Sequence, residues 1–359
     1  MSTDAVGGVW TFTMELSAGL AARGVEVLIA VLGPAPDRGR LRAAEALPGV
    51  RVVCGDYPLE WMREANDDNQ AAAGEWLLDL ATRFGPDVVH LNHFGHGGLP
   101  WGVPAVVVAH SCVGTWHEAV RGTPAGPEWA PYRRRVASGL ARATLVVAPT
   151  HAMLADLSRI YDVSFRSIVI HNGRERPSTA PTRKQPFVFC AGRVWDDAKN
   201  VATLDRAAAS IVWPVRVAGS VRHPEGGRVA FTHVELLGAL GPSAMASHYS
   251  RAAIYALPAR YEPFGLSVVE AAFAGCTLVL GDIPSLRELW GDTAVYVSPD
   301  DPDAMADRIN MLTANRRGLR EWGARARRHA SRYTAERMVS GWRHAYSALL
   351  RGDRKPCTS

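Results

Sequence analysis

The chain has 359 residues, of which 47% are hydrophobic and 21% charged, and its formal net charge is +5. This composition is typical of a folded globular protein and excludes disordered and fibrous classes. The length exceeds the usual domain size of about 100–200 residues, so two domains are expected. No apolar run approaches the roughly 18 residues that cross a bilayer, and no charged segment followed by an apolar stretch opens the chain, so we expect a cytoplasmic protein.

Short β-branched runs alternate with longer segments rich in alanine and leucine, which is the pattern of parallel sheets flanked by helices. Two sets of strands are predicted, the first at residues 25–32, 50–54, 88–91, 105–109, 144–148 and 167–171, the second at 187–191, 215–218, 234–237, 253–257, 277–280 and 294–297. Residues 174–186 are polar and proline-rich and are interpreted as a linker. The sequence therefore predicts an α/β protein with two doubly wound, Rossmann-like domains, at residues 1–173 and 187–334, facing each other across a cleft.

The two ends of the chain carry separate expectations. Only residues 1–6 precede Gly7 and Gly8, although a doubly wound domain normally begins with a buried strand that leads into its glycine turn. The first strand therefore looks truncated: either the natural start lies upstream, or residues 1–6 form a short remnant. Asp4 is a candidate cap for the following helix. At the other end, an apolar stripe predicts a helix over residues 335–351, and residues 352–359 are expected to be a disordered tail.

Gly7 and Gly8 have two interpretations. Their backbone would allow close approach of a phosphate or an acceptor, or they would simply form a turn. A group of histidines, His90, His93, His96 and His110, raises the question of a metal. No carboxylate pair completes a ligand set, and the five cysteines never show the Cys-x-x-Cys spacing, so no metal is expected. The first three histidines are interpreted as lying in a glycine-containing loop after a strand, and the loop at residues 92–98 is interpreted as lining the acceptor side of the cleft.

A second group of candidates follows the predicted strand at 187–191. Gly192 and Arg193 come directly after this strand, and Lys199 follows six residues later, before a predicted helix. The chain has only three lysines, so a lysine at this turn favours a role in binding phosphate. Because open α/β sheets bind ligands at the carboxyl ends of their strands, Arg193 and Lys199 would present two cations to an anionic ligand.

Residues 260–270, RYEPFGLSVVE, are the most informative segment of the chain. Pro263 and Gly265 predict a tight bend, which leaves Glu262 on a loop and starts a helix near Leu266. The first amides of such a helix have no internal partners and carry partial positive charge, so they suit a diphosphate. Glu262 and Glu270 are carboxylates that would accept hydrogen bonds from hydroxyls of a sugar or a ribose. The alternative is a structural helix with two solvated acids at its start.

Taken together, Gly7-Gly8, His110, the Arg193 and Lys199 pair and the segment from Glu262 to Glu270 resemble the retaining glycosyltransferases of family 4. The resemblance covers nearly the whole chain. It implies the GT-B architecture, with a C-terminal helix that crosses back to pack on the N-terminal domain.

The resemblance also implies a role for each site residue. Arg193 and Lys199 would bind the donor diphosphate, and Phe264, Gly265 and Leu266 would also belong to the donor-binding site. Glu270 would bind the ribose, Glu262 the transferred sugar, and His110 would lie near the sugar at the reaction centre. Retention of the anomeric configuration is implied, with no cofactor and no metal, because the cations and the helix terminus neutralise the leaving diphosphate.

The expected partners are a sugar-nucleotide donor and an acceptor that is a glycan, a lipid-linked molecule or a small molecule. Basic clusters at Arg133–Arg135 and Arg316–Arg328 lie in predicted helices and are interpreted as solvated faces, so no nucleic acid and at most peripheral membrane association are expected. Two other functions stay open: an NAD(P)-dependent oxidoreductase, although no Gly-x-Gly-x-x-Gly fingerprint follows a strand, and a non-catalytic sugar- or nucleotide-binding module.

Overall fold

A computed structural model describes residues 1–177, 182–223 and 226–352 and divides the chain into two units. Unit 1 contains Met1–Gly173 and the C-terminal stretch that begins at Ala335, and unit 2 contains Arg174–Thr334. Of the predicted linker at 174–186, residues 178–181 lie outside the described part, and a strand already begins at Gln185. The predicted tail, apart from Gly352 in a turn, also lies outside the described residues.

Unit 1 contains a seven-stranded sheet in which every strand pairs in parallel with its neighbours, in the order β3-β2-β1-β4-β5-β6-β7. Its strands are β1 (Ser2–Asp4), β2 (Val27–Leu32), β3 (Val50–Cys54), β4 (Val89–Leu91), β5 (Ala105–Val108), β6 (Leu145–Ala148) and β7 (Ser167–Val169). The six strands predicted in this region are confirmed. β5 and β6 are buried over their whole length, as expected for strands covered by helices on both faces.

The first strand is short but central. Ser2, Thr3 and Asp4 pair with residues 30–32 of β2, and Ser2 also pairs with Leu91 of β4. The backbone continues this pairing on the N-terminal side, where the amino group of Met1 donates to the carbonyl of Leu28 at 2.7 Å. β1 therefore joins the two halves of the sheet through three residues.

Helices flank this sheet. They are α1 (Gly8–Ala21), α2 (Arg38–Glu45), α3 (Asp67–Phe84), α4 (Val113–Arg121), α5 (Ala130–Arg142) and α6 (His151–Tyr161). Local sequence explains their ends: at the start of α3, the side chain of Asn66 accepts from the amide of Asn69 and that of Asn69 from the amide of Asn66, and Gly85 ends the helix in the left-handed conformation.

Unit 2 contains a six-stranded parallel sheet in the order β10-β9-β8-β11-β12-β13. Its strands are β8 (Gln185–Ala191), β9 (Val215–Ala218), β10 (Glu235–Gly238), β11 (Ala252–Leu257), β12 (Thr277–Gly281) and β13 (Val295–Val297). Its helices are α7 (Val201–Ala208), α8 (Pro242–Arg251), α9 (Leu266–Phe273), α10 (Pro284–Trp290), α11 (Pro302–Ala314) and α12 (Arg316–Ala330). All six predicted strands of this second set are confirmed.

The last helix, α13 (Ala335–Leu350), belongs to unit 1. It packs against α1, and Met338, Val339 and Trp342 share a hydrophobic cluster with Trp10 and Leu16. The predicted helix and its apolar stripe are thus confirmed. Among the helices of the described residues, none has the length and apolar character needed to cross a membrane.

The strand orders place a topological switch point in each unit. In unit 1 the order reverses between β1 and β4, and in unit 2 between β8 and β11. Loops that leave the carboxyl ends of the two strands at such a point diverge to opposite faces of the sheet and form the usual ligand-binding crevice of doubly wound domains. The residues after β1, β4, β8 and β11 are therefore expected to form the ligand-binding site of each unit.

Candidate functional site

In unit 2, the loops that follow β8 and β11 are tied together by hydrogen bonds. The amide of Arg260 donates to the carbonyl of Ala198 at 2.9 Å. Asn200 donates through Nδ2 to the carbonyls of Pro258 at 3.0 Å and Pro299 at 2.6 Å. Asn200 has a φ of 55°, a left-handed conformation that asparagine tolerates better than most residues. These bonds hold the predicted Lys199 and Glu262 regions next to each other.

Lys199 and Glu262 form a direct ion pair. The Nζ atom of Lys199 lies 2.5 Å from Oε2 of Glu262, and the two side chains are 16% and 10% exposed. The backbone of Glu262 is held as well, because its carbonyl accepts from Oγ of Ser285 at 2.7 Å. The prediction that Glu262 lies on a loop is confirmed. The structure thus brings two of the predicted site residues into contact.

Arg193 is a half-exposed cation with a fixed neighbour. Its Nε and Nη2 atoms donate to Oδ2 of Asp196 at 3.1 and 2.6 Å, and its guanidinium lies 5.4 Å from the centre of the Trp195 ring. Asp196 is buried and also accepts from the amide of Ala198 at 3.0 Å. The carboxylate therefore orients Arg193 and ties it to the loop that carries Lys199. Sequence reasoning did not assign a role to Asp196.

A glycine of the neighbouring strand allows this loop to take its course. Gly219 follows β9 with a φ of +142°, and a Cβ atom at this position would lie 1.7 Å from the carbonyl oxygen of Gly192. That separation is far inside van der Waals contact, so only glycine fits here. The backbone on which Arg193 stands thus depends on a residue 26 positions later in the sequence.

The helix predicted near Leu266 begins at that residue. Gly265 is its N-terminal cap with a φ of 88°, and among the described residues no side chain caps this end. The first-turn amides therefore keep their donor capacity and partial positive charge. Phe264 is buried, with its ring edge-on to Tyr333 at 5.5 Å, which anchors the loop before the helix.

Glu270 lies on the second turn of α9, partly exposed, and pairs with Arg174. The Nε and Nη2 atoms of Arg174 both lie 2.8 Å from Oε1 of Glu270. The helix is also fixed from below, because the hydroxyl of buried Tyr255 lies 2.8 Å from Oγ of Ser267 and 3.1 Å from the carbonyl of Ala191. Tyr255 thus links the end of β8 to the first turn of α9. The Arg174 pairing was not predicted from the sequence.

In unit 1, His110 follows β5 and is only partly exposed. Its Nε2 atom lies 2.8 Å from Oδ1 of Asn92, and its ring meets the edge of Phe12 at 4.7 Å between centroids. Burial lowers the pKa of His110 to about 3, so the ring is neutral at physiological pH. Among the described residues, none forms a hydrogen bond with its Nδ1 atom.

The other histidines form part of a hydrogen-bonded network around Asn92. His90 lies within β4, so its assignment to a loop was wrong, whereas His93 and His96 follow the strand. The Nδ1 atom of His93 lies 2.9 Å from Oγ of Ser2, and its Nε2 atom lies 2.7 Å from Nδ1 of His96. The Nε2 atom of His96 lies 2.9 Å from the carbonyl oxygen of Gln70. Burial lowers the pKa of all three histidines. Within the described ranges, no three His, Cys, Asp or Glu side chains are grouped so that they could hold a metal ion.

A buried carboxylate shapes the loop that carries His93 and His96. Glu60 accepts from the amides of Phe94 at 3.0 Å and Gly95 at 2.9 Å. Arg135 lies in the same region, is only 15% exposed and donates to Asp67 at 2.5 Å. The interpretation of the Arg133–Arg135 cluster as a solvated face is therefore wrong for Arg135, whereas Arg133 and Arg134 are exposed. Nothing in the local sequence pattern singled out Glu60.

Gly7 and Gly8 lie at the start of α1, directly after β1. Gly7 is the N-terminal cap with a φ of 84°, and Gly8 is the first helical residue. No side chain of the described residues caps this helix, and Oδ1 of Asp4 instead accepts from the amide of Val6 at 2.7 Å. The prediction that Asp4 caps α1 is therefore wrong. The two glycines occupy the switch point of unit 1.

Comparisons with known proteins agree with this arrangement. Residues 6–175 match the family model "Glycosyltransferase Family 4", and residues 185–315 match "Glycosyl transferases group 1". The D-inositol 3-phosphate glycosyltransferase of Nocardia farcinica is 26% identical, with 97% of this chain and 86% of the relative covered. The glycogen synthase of Mycobacterium tuberculosis is 34% identical over a shorter stretch, which covers 34% of this chain and 28% of the relative.

Solved structures show the same fold. Sucrose-phosphate synthase from Thermosynechococcus elongatus superimposes with a TM-score of 0.79 at 19% identity, covering 98% of this chain and 96% of that one. HepE from Anabaena, solved in complex with UDP and glucose, gives a TM-score of 0.73 at 15% identity, covering 95% and 96%. The two parallel-sheet, Rossmann-like units of this chain therefore match the GT-B glycosyltransferase fold. The two family models together match most of the chain, which is a glycosyltransferase of the GT-B fold.

Proposed function

We propose that this glycosyltransferase moves a sugar from a nucleoside-diphosphate sugar to a hydroxyl of an acceptor with retention of configuration. The observation that carries the proposal is the group of polar residues at the β8–β11 switch point, where Lys199 and Glu262 are in contact and Arg193 is held by Asp196. The matches to the two glycosyltransferase family models support it, as does the fact that HepE of Anabaena was solved with UDP and glucose.

The donor diphosphate is assigned to the cations of unit 2. As the bond between sugar and phosphate breaks, negative charge grows on the diphosphate, and donors fixed in advance stabilise it most. Arg193, Lys199 and the amides at Gly265 and Leu266 are such donors. Phe264 sets the course of this loop through its buried ring. No metal and no cofactor take part in the proposed reaction, because two cations and a helix terminus supply the positive charge.

Donor binding would rearrange the Lys199–Glu262 ion pair. Lys199 would exchange its carboxylate partner for a phosphate oxygen, and Glu262 would then accept hydrogen bonds from hydroxyls of the sugar. The pairing holds both side chains in place before the donor arrives. Glu270 is assigned to the ribose diol, with Arg174 fixing the orientation of its carboxylate.

His110 is assigned to the transferred sugar and acts as a neutral group. Positive charge develops on the sugar ring in the transition state, so a neutral imidazole is preferable to an imidazolium there. The low pKa of His110 keeps the ring neutral. Gly7 and Gly8 would let the backbone approach the acceptor or a phosphate. In the retaining reaction that the family resemblance implies, the acceptor attacks on the leaving-group face and its proton passes to the diphosphate.

The test is release of nucleoside diphosphate from a panel of uridine, guanosine and adenosine diphosphate sugars. Lys199→Ala and Glu270→Ala are expected to abolish release, because each removes a donor contact. Lys184→Ala and Glu235→Ala are matched controls in the same unit, since Lys184 binds the carbonyl of Tyr249 and Glu235 pairs with Arg216 on the outer strands. Binding without turnover would replace the proposal with a binding module, and tight nicotinamide dinucleotide binding would replace it with an oxidoreductase.

A further inference from the structure

A chain of hydrogen bonds connects the C-terminal helix to His110. The hydroxyl of Tyr346 on α13 lies 2.6 Å from Nδ1 of His90. The Nε2 atom of His90 lies 3.1 Å from Oδ1 of Asn92, and Nε2 of His110 lies 2.8 Å from the same oxygen. Asn92 and His90 are buried, so an unmade hydrogen bond in this chain would be costly.

The surroundings of Asn92 fix which way its amide points. Its Nδ2 atom lies 2.8 Å from the carbonyl of Ser2 and 3.2 Å from Oγ1 of Thr13. A backbone carbonyl only accepts, so the NH₂ group must face Ser2, and the amide oxygen must face the two histidines. All four hydrogen-bonding positions of the amide are then used: two donors by Ser2 and Thr13, two lone pairs by His90 and His110.

The position of every proton in the chain follows from this orientation. The amide oxygen of Asn92 only accepts, so both histidines must carry hydrogen on Nε2. Burial keeps His90 neutral, which leaves its Nδ1 as an acceptor, and the hydroxyl of Tyr346 donates to it. His110 is neutral too, so its Nδ1 carries a lone pair and no hydrogen.

We infer that Asn92, supported by His90 and by Tyr346 of the C-terminal helix, is a positioning residue that holds His110 as the Nε2–H tautomer with its Nδ1 lone pair directed to the substrate. The role of His110 towards a sugar rests on the proposed function, whereas the tautomer rests on the contacts of Asn92 and on the burial that keeps the His110 ring neutral. The tautomer matters because a lone pair presents negative charge to a sugar that becomes positive, while an N–H group would present positive charge.

The decisive measurement is the ¹⁵N spectrum of histidine-labelled protein, with the signals of His110 assigned by comparison with His110→Gln. In the natural sequence, Nε2 of His110 is expected to be the protonated nitrogen and Nδ1 the unprotonated one. Asn92→Leu keeps the approximate volume and removes the acceptor, so both tautomers of His110 should become populated. Asn310→Leu is the matched control, because it removes an amide that binds Ser210 and Val212 in unit 2 and should leave His110 unchanged.

Tyr346→Phe provides a milder variant that keeps the ring against Trp342 and removes only the hydroxyl. It should loosen His90 and shift the His110 signals in the same direction as Asn92→Leu, by a smaller amount. In transfer assays Asn92→Leu should lower kcat by about tenfold, the equivalent of one lost hydrogen bond, with little change in the donor KM.

The outcomes separate the two proposals. A His110 that carries its proton on Nδ1 in the natural sequence, or an unchanged tautomer in Asn92→Leu, overturns the inference even if the enzyme is active. If the tautomer behaves as expected but His110→Gln transfers sugar at the normal rate, the positioning of His110 stands and its assignment to the sugar fails.

Discussion

Breaking the Lys199–Glu262 ion pair should destabilise unit 2. Glu262→Gln keeps the shape of the side chain and removes its charge, and Lys199→Met does the same for the cation. Removing one partner of a buried pair costs about 3–5 kcal/mol, and since these side chains retain 16% and 10% exposure we expect about 3 kcal/mol for each variant. In a domain of this size, each kcal/mol lowers Tm by about 2–4 °C, so the expected shift is about 6–12 °C.

The double variant distinguishes a true pair from two independent effects. With both charges removed, neither is left buried alone, so the combined loss should fall short of the sum of the single losses by about 1–3 kcal/mol. The free energy of unfolding is measured by urea titration of the four proteins. The Arg216–Glu235 pair, whose side chains are 29% and 54% exposed, is the control cycle and should show a coupling below about 1 kcal/mol.

The same variants test the proposed exchange of partners during donor binding. In Glu262→Gln, Lys199 has no ion pair to give up, so nucleoside diphosphate should bind at least as tightly as to the natural sequence, while the additional affinity of the sugar nucleotide is lost. Lys199→Met should bind both ligands weakly. Calorimetric titration measures these affinities. Additive single losses in the stability cycle, or undiminished diphosphate affinity in Lys199→Met, would refute the reasoning.

Two further predictions concern the scaffold. Gly219→Ala should destabilise unit 2 by more than about 3 kcal/mol, because the new Cβ atom would lie 1.7 Å from the carbonyl oxygen of Gly192. The control is Gly238→Ala, which has a φ of +69° and open space around it and should cost only the backbone strain of about 1–2 kcal/mol. Equal losses of unfolding free energy in urea titrations would contradict the steric explanation. Stability of unit 1 should fall as pH decreases below about 6.5, because the unfolded chain then binds protons that the buried histidines His90, His93, His96 and His110 do not bind, at up to about 1.4 kcal/mol per histidine and pH unit. Urea titrations at pH 7 and pH 5 measure the free energy of unfolding that checks this. His96→Gln should make this free energy depend less on pH. If it does not depend on pH in the natural sequence, these histidines are protonated in the folded state.

The sequence alone predicted the strands of both units from β2 onwards and the segments that carry the candidate site. Twelve predicted strands correspond to strands of the structure, and the helix expected after Gly265 begins at Leu266. These features are local: alternation of β-branched and helix-forming runs sets the secondary structure, and a Pro-x-Gly bend sets the start of a helix. The position of Glu262 on a loop followed from the same local rules.

Tertiary structure alone decided which side chains meet. Lys199 pairs with Glu262, 63 residues away, Glu270 pairs with Arg174 across 96 residues, and Tyr346 reaches His90 across 256. Periodicity predicts which face of an element is buried, but a partner on another element depends on the order of the strands, which the pattern does not encode. The roles of Asn92, Asp196 and Glu60 were missed for this reason: each is a single polar residue whose importance comes from backbone and side-chain groups that the fold brings to it.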